Sequence, residues 1–289
     1  MNAGWRMTTD IFARDFAIEA TRPNANEIAQ LREILKPGTS VYITSVATAA
    51  ADETITAAAA LRKAGLEPVI HIAARRFASA DMLQGVLARL TGEAGVRQLL
   101  VIGGDVDAAG PFVDALAVIQ KCDLRKAGIE GIGIGAYPEG HPRIPSGRLE
   151  ASLDEKIASA TAQGLQVNIV SQFSFSGEHI LVWLTELRSS GIKNPVGIGL
   201  AGPTSVPALI RYARRCGVTA SLRGLMSGTA AGLVGNLGPD RIIDLLASSP
   251  RELGDTHLHY FSFGGVIQTA RYARDMAKAG VEQKAAAHS

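Results

Sequence analysis

Several polar residues stand at the ends of aliphatic runs, where they could do chemistry. Glu19 follows Phe16-Ala17-Ile18, so its carboxylate would emerge from an apolar strand into a partly dry mouth. Desolvation there favours the protonated carboxyl, the state that a general acid working near neutral pH requires. An ordinary ion pair with Arg22 is the plainer use of the same group. Asp105 ends Leu99-Leu100-Val101-Ile102-Gly103-Gly104-Asp105. The two glycines let the backbone approach a flat ligand, and the carboxylate can accept paired N–H donors such as the edge of a planar heterocycle. Capping of the next helix is its alternative use. Gln172 brings a donor and an acceptor beside Phe173 and Phe175, whose rings could support a planar ligand. Thr44, His71 and the run Tyr137 to His141 occupy similar places, and Lys156 on a helix could meet a phosphate, although a lysine on a helix face is usually solvated.

Something must hold these residues together, and a repeat in the sequence says what. Five times an amphipathic helical stretch ends in Gly followed by an aliphatic residue and a β-rich run: Gly65-Leu66, Gly95-Val96, Gly128-Ile129, Gly164-Leu165 and Gly191-Ile192. The spacing is about 30 residues, the length of one βα unit. Gly takes the left-handed conformation that closes a helix, and the apolar residues after it enter a strand. The strands so marked are Val69 to Ile72, Leu99 to Ile102, Gly131 to Ala136, Val167 to Val170 and Val196 to Leu200. Phe16 to Glu19 and Val41 to Val46 precede them, and His257 to Phe263 completes the eight. Most are unbroken aliphatic runs, as buried parallel strands should be. Eight βα units predict a (β/α)8 TIM barrel over residues 1–289, a single domain with loose ends at about 1–12 and 281–289. An open doubly wound sheet has similar local signals, so the count decides. Ser152-Leu153-Asp154-Glu155 reads as a capping box opening the helix that carries Lys156. Gly131-Ile132-Gly133-Ile134-Gly135 is no dinucleotide fingerprint, because the glycines lie within a strand and Pro138 follows where a helix should start.

With 289 residues, 47% hydrophobic and 5% aromatic, and 31 Gly, the composition suits closely packed helices on a buried sheet. A net charge of +2, with no basic run interleaved with aromatics, speaks against a nucleic-acid surface and for a small-molecule partner. No signal-like or membrane-length apolar segment is visible, so a cytoplasmic location away from membranes is expected. The chain ends near the close of the barrel, so no C-terminal regulatory module is expected. Cys122 and Cys216 lie apart in helix-like segments and read as buried thiols, and the six scattered His give no metal site. Ala-rich outer helices such as Thr54 to Leu61 could pack in a homo-oligomer.

Taken together the segments resemble the catalytic barrel of methylenetetrahydrofolate reductases. Ala136-Tyr137-Pro138-Glu139-Gly140-His141-Pro142 looks like that family's A-x-Y-P-E-x-H-P flavin loop with one residue fewer before the Tyr. Gly104-Asp105 matches the end of L-R-G-D, and Ser171 to Phe175 the T-Q-F-x-F segment. The resemblance runs from about residue 16 to residue 263 and thins after Gly202. It implies interconversion of 5,10-methylene- and 5-methyltetrahydrofolate, with electrons exchanged with NAD(P)H through FAD. Glu19 would be the general acid, while Asp105 would be both catalytic and, with Gln172 and Phe175, a holder of the pterin. Thr44, His71, Gly104, Asp105, Ala136, Tyr137, His141 and Lys156 would line or anchor the flavin. Two departures stand out: Ile18-Glu19-Ala20-Thr21-Arg22-Pro23 replaces F-E-F-F-P-P, and Gly103 stands where the family has Arg. The open alternatives are therefore direct hydride transfer without flavin, a pterin-binding barrel that serves methyl transfer, and a non-catalytic barrel.

Overall fold

The computed structural model describes residues 16–45, 51–218, 236–249 and 254–287. Strands and helices alternate along the chain: β1 (Phe16–Ala20), α1 (Ala25–Ile34), β2 (Ser40–Ile43), α2 (Ala51–Lys63), β3 (Glu67–Ala73), α3 (Ala80–Glu93), β4 (Gln98–Ile102) and α4 (Ala115–Lys121). They continue with β5 (Gly131–Ala136), α5 (Ser146–Ala162), β6 (Gln166–Ser171), α6 (Gly177–Ser189), β7 (Val196–Ala201), α7 (Val206–Cys216), α8 (Asp240–Ala247), β8 (Thr256–Phe261) and α9 (Val266–Ala287). The strands close in the order β1-β8-β7-β6-β5-β4-β3-β2, and the pairings recorded within the barrel are parallel. This is the (β/α)8 barrel expected from the sequence. A short antiparallel pair, Thr204–Ser205 with Asn236–Leu237, is added after β7.

The helix-ending glycines do what their repeat implies. Gly65, Gly95, Gly128, Gly164 and Gly191 have φ of 82, 60, 90, 73 and 92°, the left-handed region in which a side chain is strained. Helix starts are equally local. Asn24 and Glu27 form a reciprocal capping box at α1, and Ser79, Asp114 and Ser176 accept from backbone N–H groups of α3, α4 and α6.

Two compact units divide the chain: Glu19–Ala136 with Pro145–Ile169, and Met1–Ile18 with Tyr137–Ile144 and Val170–Ser289. In the first, Leu61, Leu87, Leu90, Leu99 and Ile119 are fully enclosed, each such burial stabilising by about 1.5–3 kcal/mol. In the second, Gly199 is required by a close approach, because a Cβ there would lie 2.3 Å from the Ser171 carbonyl oxygen.

Several local expectations need correction. Ser152 does not open a helix: α5 already begins at Ser146 after Pro145, whose fixed φ and missing N–H suit a helix entry. Glu155, read as half of the capping box, instead lies 3.2 Å from Arg148. β2 ends at Ile43, and Val46 lies outside the described residues. β8 ends at Phe261, where Phe263 N–H donates back to the Phe261 carbonyl in a turn. Cys122 is buried, but Cys216, on the last turn of α7, is only half-buried. α9 extends to Ala287, into the segment expected as a tail; residues 1–12 lie outside the described part.

Candidate active site

In a parallel barrel every strand delivers its C-terminal end to one rim, where chemistry is built. Within the first unit, Glu19 is the next-to-last residue of β1 and is buried. Its Oε1 lies 3.5 Å from His71 Nε2 on β3, the two side chains being 10% and 8% exposed. Arg22, the partner considered from sequence, lies 3.8 Å from Glu53. The Tyr42 ring on β2 meets His71 edge-on at 6.1 Å, and Asn168 on β6 hydrogen-bonds the Tyr42 hydroxyl. Strands β1 and β3 flank β2, so Glu19 and His71 can meet only on the concave inner face. The interior therefore carries a polar layer of Glu19, Tyr42, His71 and Asn168. Burial pushes the Tyr42 hydroxyl up to about 12, with the Glu19 charge adding and the Asn168 hydrogen bond opposing.

Beside it, β3 runs on into a 3-10 turn, Ala74–Arg76. Arg76 Nη2 donates to Asp105 Oδ1 at 2.8 Å, with Asp105 56% and Arg76 18% exposed. Asp105 thus pairs with an arginine; α4, the next helix, is capped by Asp114. Arg75 donates to the carbonyls of Val113 and Gly104 at 2.7 and 3.2 Å. Its guanidinium stands 3.9 Å from where a Cβ on Gly103 would be. An arginine from the turn that follows β3 thus stands beside Gly103. Gly104 has a φ of 95°. Thr44 shares a hydrogen bond with Thr21 at 2.9 Å, and Ala136 ends β5 with its side chain buried. Lys156 sits in the third turn of α5, half-buried; burial pushes its ammonium below the usual lysine range, opposed by Asp114.

In the second unit, Tyr137 and His141 touch edge-on at 5.0 Å, and the backbone turns between them through Gly140 N–H to the Tyr137 carbonyl. Gln172 Oε1 accepts from Phe173 N–H at 3.1 Å. Phe173 meets Phe175, Phe261 and Phe263 at 5.5, 5.4 and 4.8 Å, and Tyr212 stacks on Phe263 at 4.2 Å. Phe173 is thus the buried centre of an aromatic cluster packed against α7. His259 on β8 is fully buried, with Phe261 at 5.3 Å.

Tyr42, Arg75, Arg76, Asn168 and His259 were not singled out from the sequence. Asn168 had a signal, a lone amide inside Val167-Asn168-Ile169, since a polar residue in a buried aliphatic run needs a partner. Among the described residues no group of His, Cys, Asp and Glu could hold a metal ion, and no helix is long and apolar enough to cross a membrane.

A family model described as methylenetetrahydrofolate reductase matches residues 19–222, more than half of the chain. The chain belongs to the methylenetetrahydrofolate reductase family. A family relative, methylenetetrahydrofolate reductase 2 of Saccharomyces cerevisiae, is 23% identical over 158 residues, which is 52% of this chain and 26% of the yeast protein. The match thus spans about a quarter of that relative's length. Among solved structures, the dihydropteroate synthase of Thermus thermophilus aligns at a TM-score of 0.50 and 16% identity, covering 92% of this chain and 93% of its own. The 3-dehydroquinate dehydratase of Aquifex aeolicus aligns at 0.46 and 10%, covering 91% and 97%. The first likeness is one of fold.

Proposed function

We propose that the chain interconverts 5,10-methylenetetrahydrofolate and 5-methyltetrahydrofolate with electrons from NAD(P)H, and that Glu19 is the general acid. The supporting observation is the Glu19 carboxylate itself, enclosed at the end of β1 and 3.5 Å from His71. In the reducing direction the Glu19 O–H bond breaks as N10–H forms, and the bond from N10 to the methylene carbon breaks to leave an iminium at N5. Two electrons and a proton, as hydride, then turn that carbon into the methyl group, and NAD(P)H leaves as NAD(P)+. A positioned donor and a proton source are what the step needs. Asp105, in the first unit, is proposed to hold the pterin.

The residues present fit a flavin. A Cβ on Gly103 would meet nothing nearer than the Arg75 guanidinium at 3.9 Å, so the end of β4 offers bare backbone with a cation beside it. Thr44, Gly104, Asp105, Ala136 and Lys156 would hold it in this unit, and when bound it would carry two electrons between NAD(P)H and folate. Direct hydride transfer without flavin is the second reading, favoured by the engagement of Arg75 with Gly104 and Val113 and of Arg76 with Asp105.

The test is an anaerobic absorption titration of the purified protein with methyltetrahydrofolate after addition of FAD. Flavin absorbance that bleaches with folate supports the flavin reading. A protein that takes up no FAD but oxidises NAD(P)H with methylenetetrahydrofolate supports direct transfer. A protein that neither bleaches bound flavin nor oxidises NAD(P)H with methylenetetrahydrofolate contradicts the proposal.

A further inference from the structure

The polar layer around Glu19 is unusual in composition for a barrel interior. Such interiors are filled mainly by branched aliphatic side chains. Here β1, β2, β3 and β6 place Glu19, Tyr42, His71 and Asn168 on the same inner face.

We propose that Glu19 and His71 share one proton, and that His71 is the positioning residue that reloads the general acid between turnovers. The inference rests on the reading of Glu19 as the acid. At 3.5 Å the pair is within about half an ångström of a hydrogen bond. With one proton between them, both are neutral or they form an ion pair, and either state avoids an isolated buried charge.

The reaction makes this useful. Each reduction leaves one proton on folate N10 and Glu19 as a carboxylate facing His71. The next proton comes from water onto the imidazole, whose charged form the carboxylate stabilises. It then crosses to the Glu19 oxygen, leaving both groups neutral and the acid reloaded.

Tyr42 and Asn168 brace this pair. The Tyr42 ring lies edge-on to His71, and its hydroxyl is held by Asn168 across the interior. That hydroxyl keeps its proton at neutral pH, so it does not compete for the shared one. The contacts of His71 recorded among the described residues are with Glu19 from β1 and Tyr42 from β2. Its register partner on β4 is the apolar Leu100, and β6 supplies the neutral Asn168.

His71→Gln tests the proposal, because Gln keeps a polar group near the Nε2 position and cannot titrate. Dependence of kcat and kcat/KM on pH is measured for folate reduction by both proteins. Expected is a fall in kcat of about 10- to 100-fold with folate KM changed by less than about 2-fold. The alkaline limb moves to more acid pH by about one unit, since one of the two sites for the proton is gone. Superimposable profiles, or a loss confined to KM, would overturn the proposal. A second readout needs no turnover: NMR of the histidine ring protons in the wild-type chain and in Glu19→Gln. Neutralising the carboxylate should lower the pH at which the His71 signals titrate, and an unmoved titration overturns the pairing. Absence of folate reduction by the wild-type chain, with the NMR coupling intact, contradicts the assigned reaction and leaves the proton pair standing.

Discussion

Replacing Asp105 by Asn separates two roles of one carboxylate. Asp105 accepts from Arg76 at 2.8 Å, and Arg76 Nε and Nη1 are enclosed with no hydrogen-bond partner among the described residues. An exposed ion pair stabilises by about 0–1 kcal/mol, and a hydrogen bond to a charged group by about 1.5–3 kcal/mol. The aspartate is 56% exposed while the arginine is only 18% exposed, so screening holds the cost of Asp105→Asn near the lower bound, about 1.5 kcal/mol. At about 2.1 cal/mol/K per residue, the 289 residues unfold with an entropy of about 0.6 kcal/mol/K, so Tm falls by about 2.5 °C. Thermal melting of Asp105→Asn and of Asp105→Asn with Arg76→Gln measures this. The double variant has no enclosed cation left uncompensated, and most of the lost stability should return. Folate binding behaves differently: Asn offers a pterin N–H edge one acceptor in place of two, so affinity should fall about 10-fold or more in both variants. An unchanged Tm in the single variant would refute the energetic argument, and unchanged folate affinity would show that the pterin is held elsewhere.

Gly199→Ala should destabilise by about 3 kcal/mol, because the new methyl meets the Ser171 carbonyl at 2.3 Å and one strand must shift; a melting temperature like that of the wild type would contradict the close approach. Asp114→Ala removes the cap of α4 and the charge opposing the lowered Lys156 titration, so chemical denaturation should show a loss of about 1 kcal/mol. Tyr42 gives a pH signature. Its folded pKa is raised to about 12 from 10.0, so its contribution is fully present below pH 10 and is lost as pH rises toward 12. Stability measured across that window should fall less steeply in Tyr42→Phe, and identical slopes would count against the buried hydroxyl.

The architecture was legible because its signals are local. Gly65, Gly95, Gly128, Gly164 and Gly191 each end a helix in a left-handed turn, and the aliphatic runs after them become parallel strands. Ser152 misled because Ser-x-x-Glu also suits a helix interior, where Glu155 finds Arg148 two turns back on the same face. Glu19, Asp105 and Gln172 were visible as polar residues at strand ends. What each one faces was not, since the approaches of Glu19 to His71 over the intervening β2, and of Tyr42 to Asn168 on β6, depend on closure and register. Arg75 shows the same limit: sequence reports a missing arginine at Gly103, and only the pairing of β3 with β4 places another beside it.

The most direct test of the account is NAD(P)H oxidation on addition of methylenetetrahydrofolate, followed by absorbance with the wild-type chain and with Glu19→Gln under the same conditions. The wild-type chain should consume NAD(P)H in proportion to the folate added, and Glu19→Gln should be slower by about 100- to 10,000-fold with its fold intact. Equal rates for the two proteins would remove Glu19 from the chemistry and contradict the account.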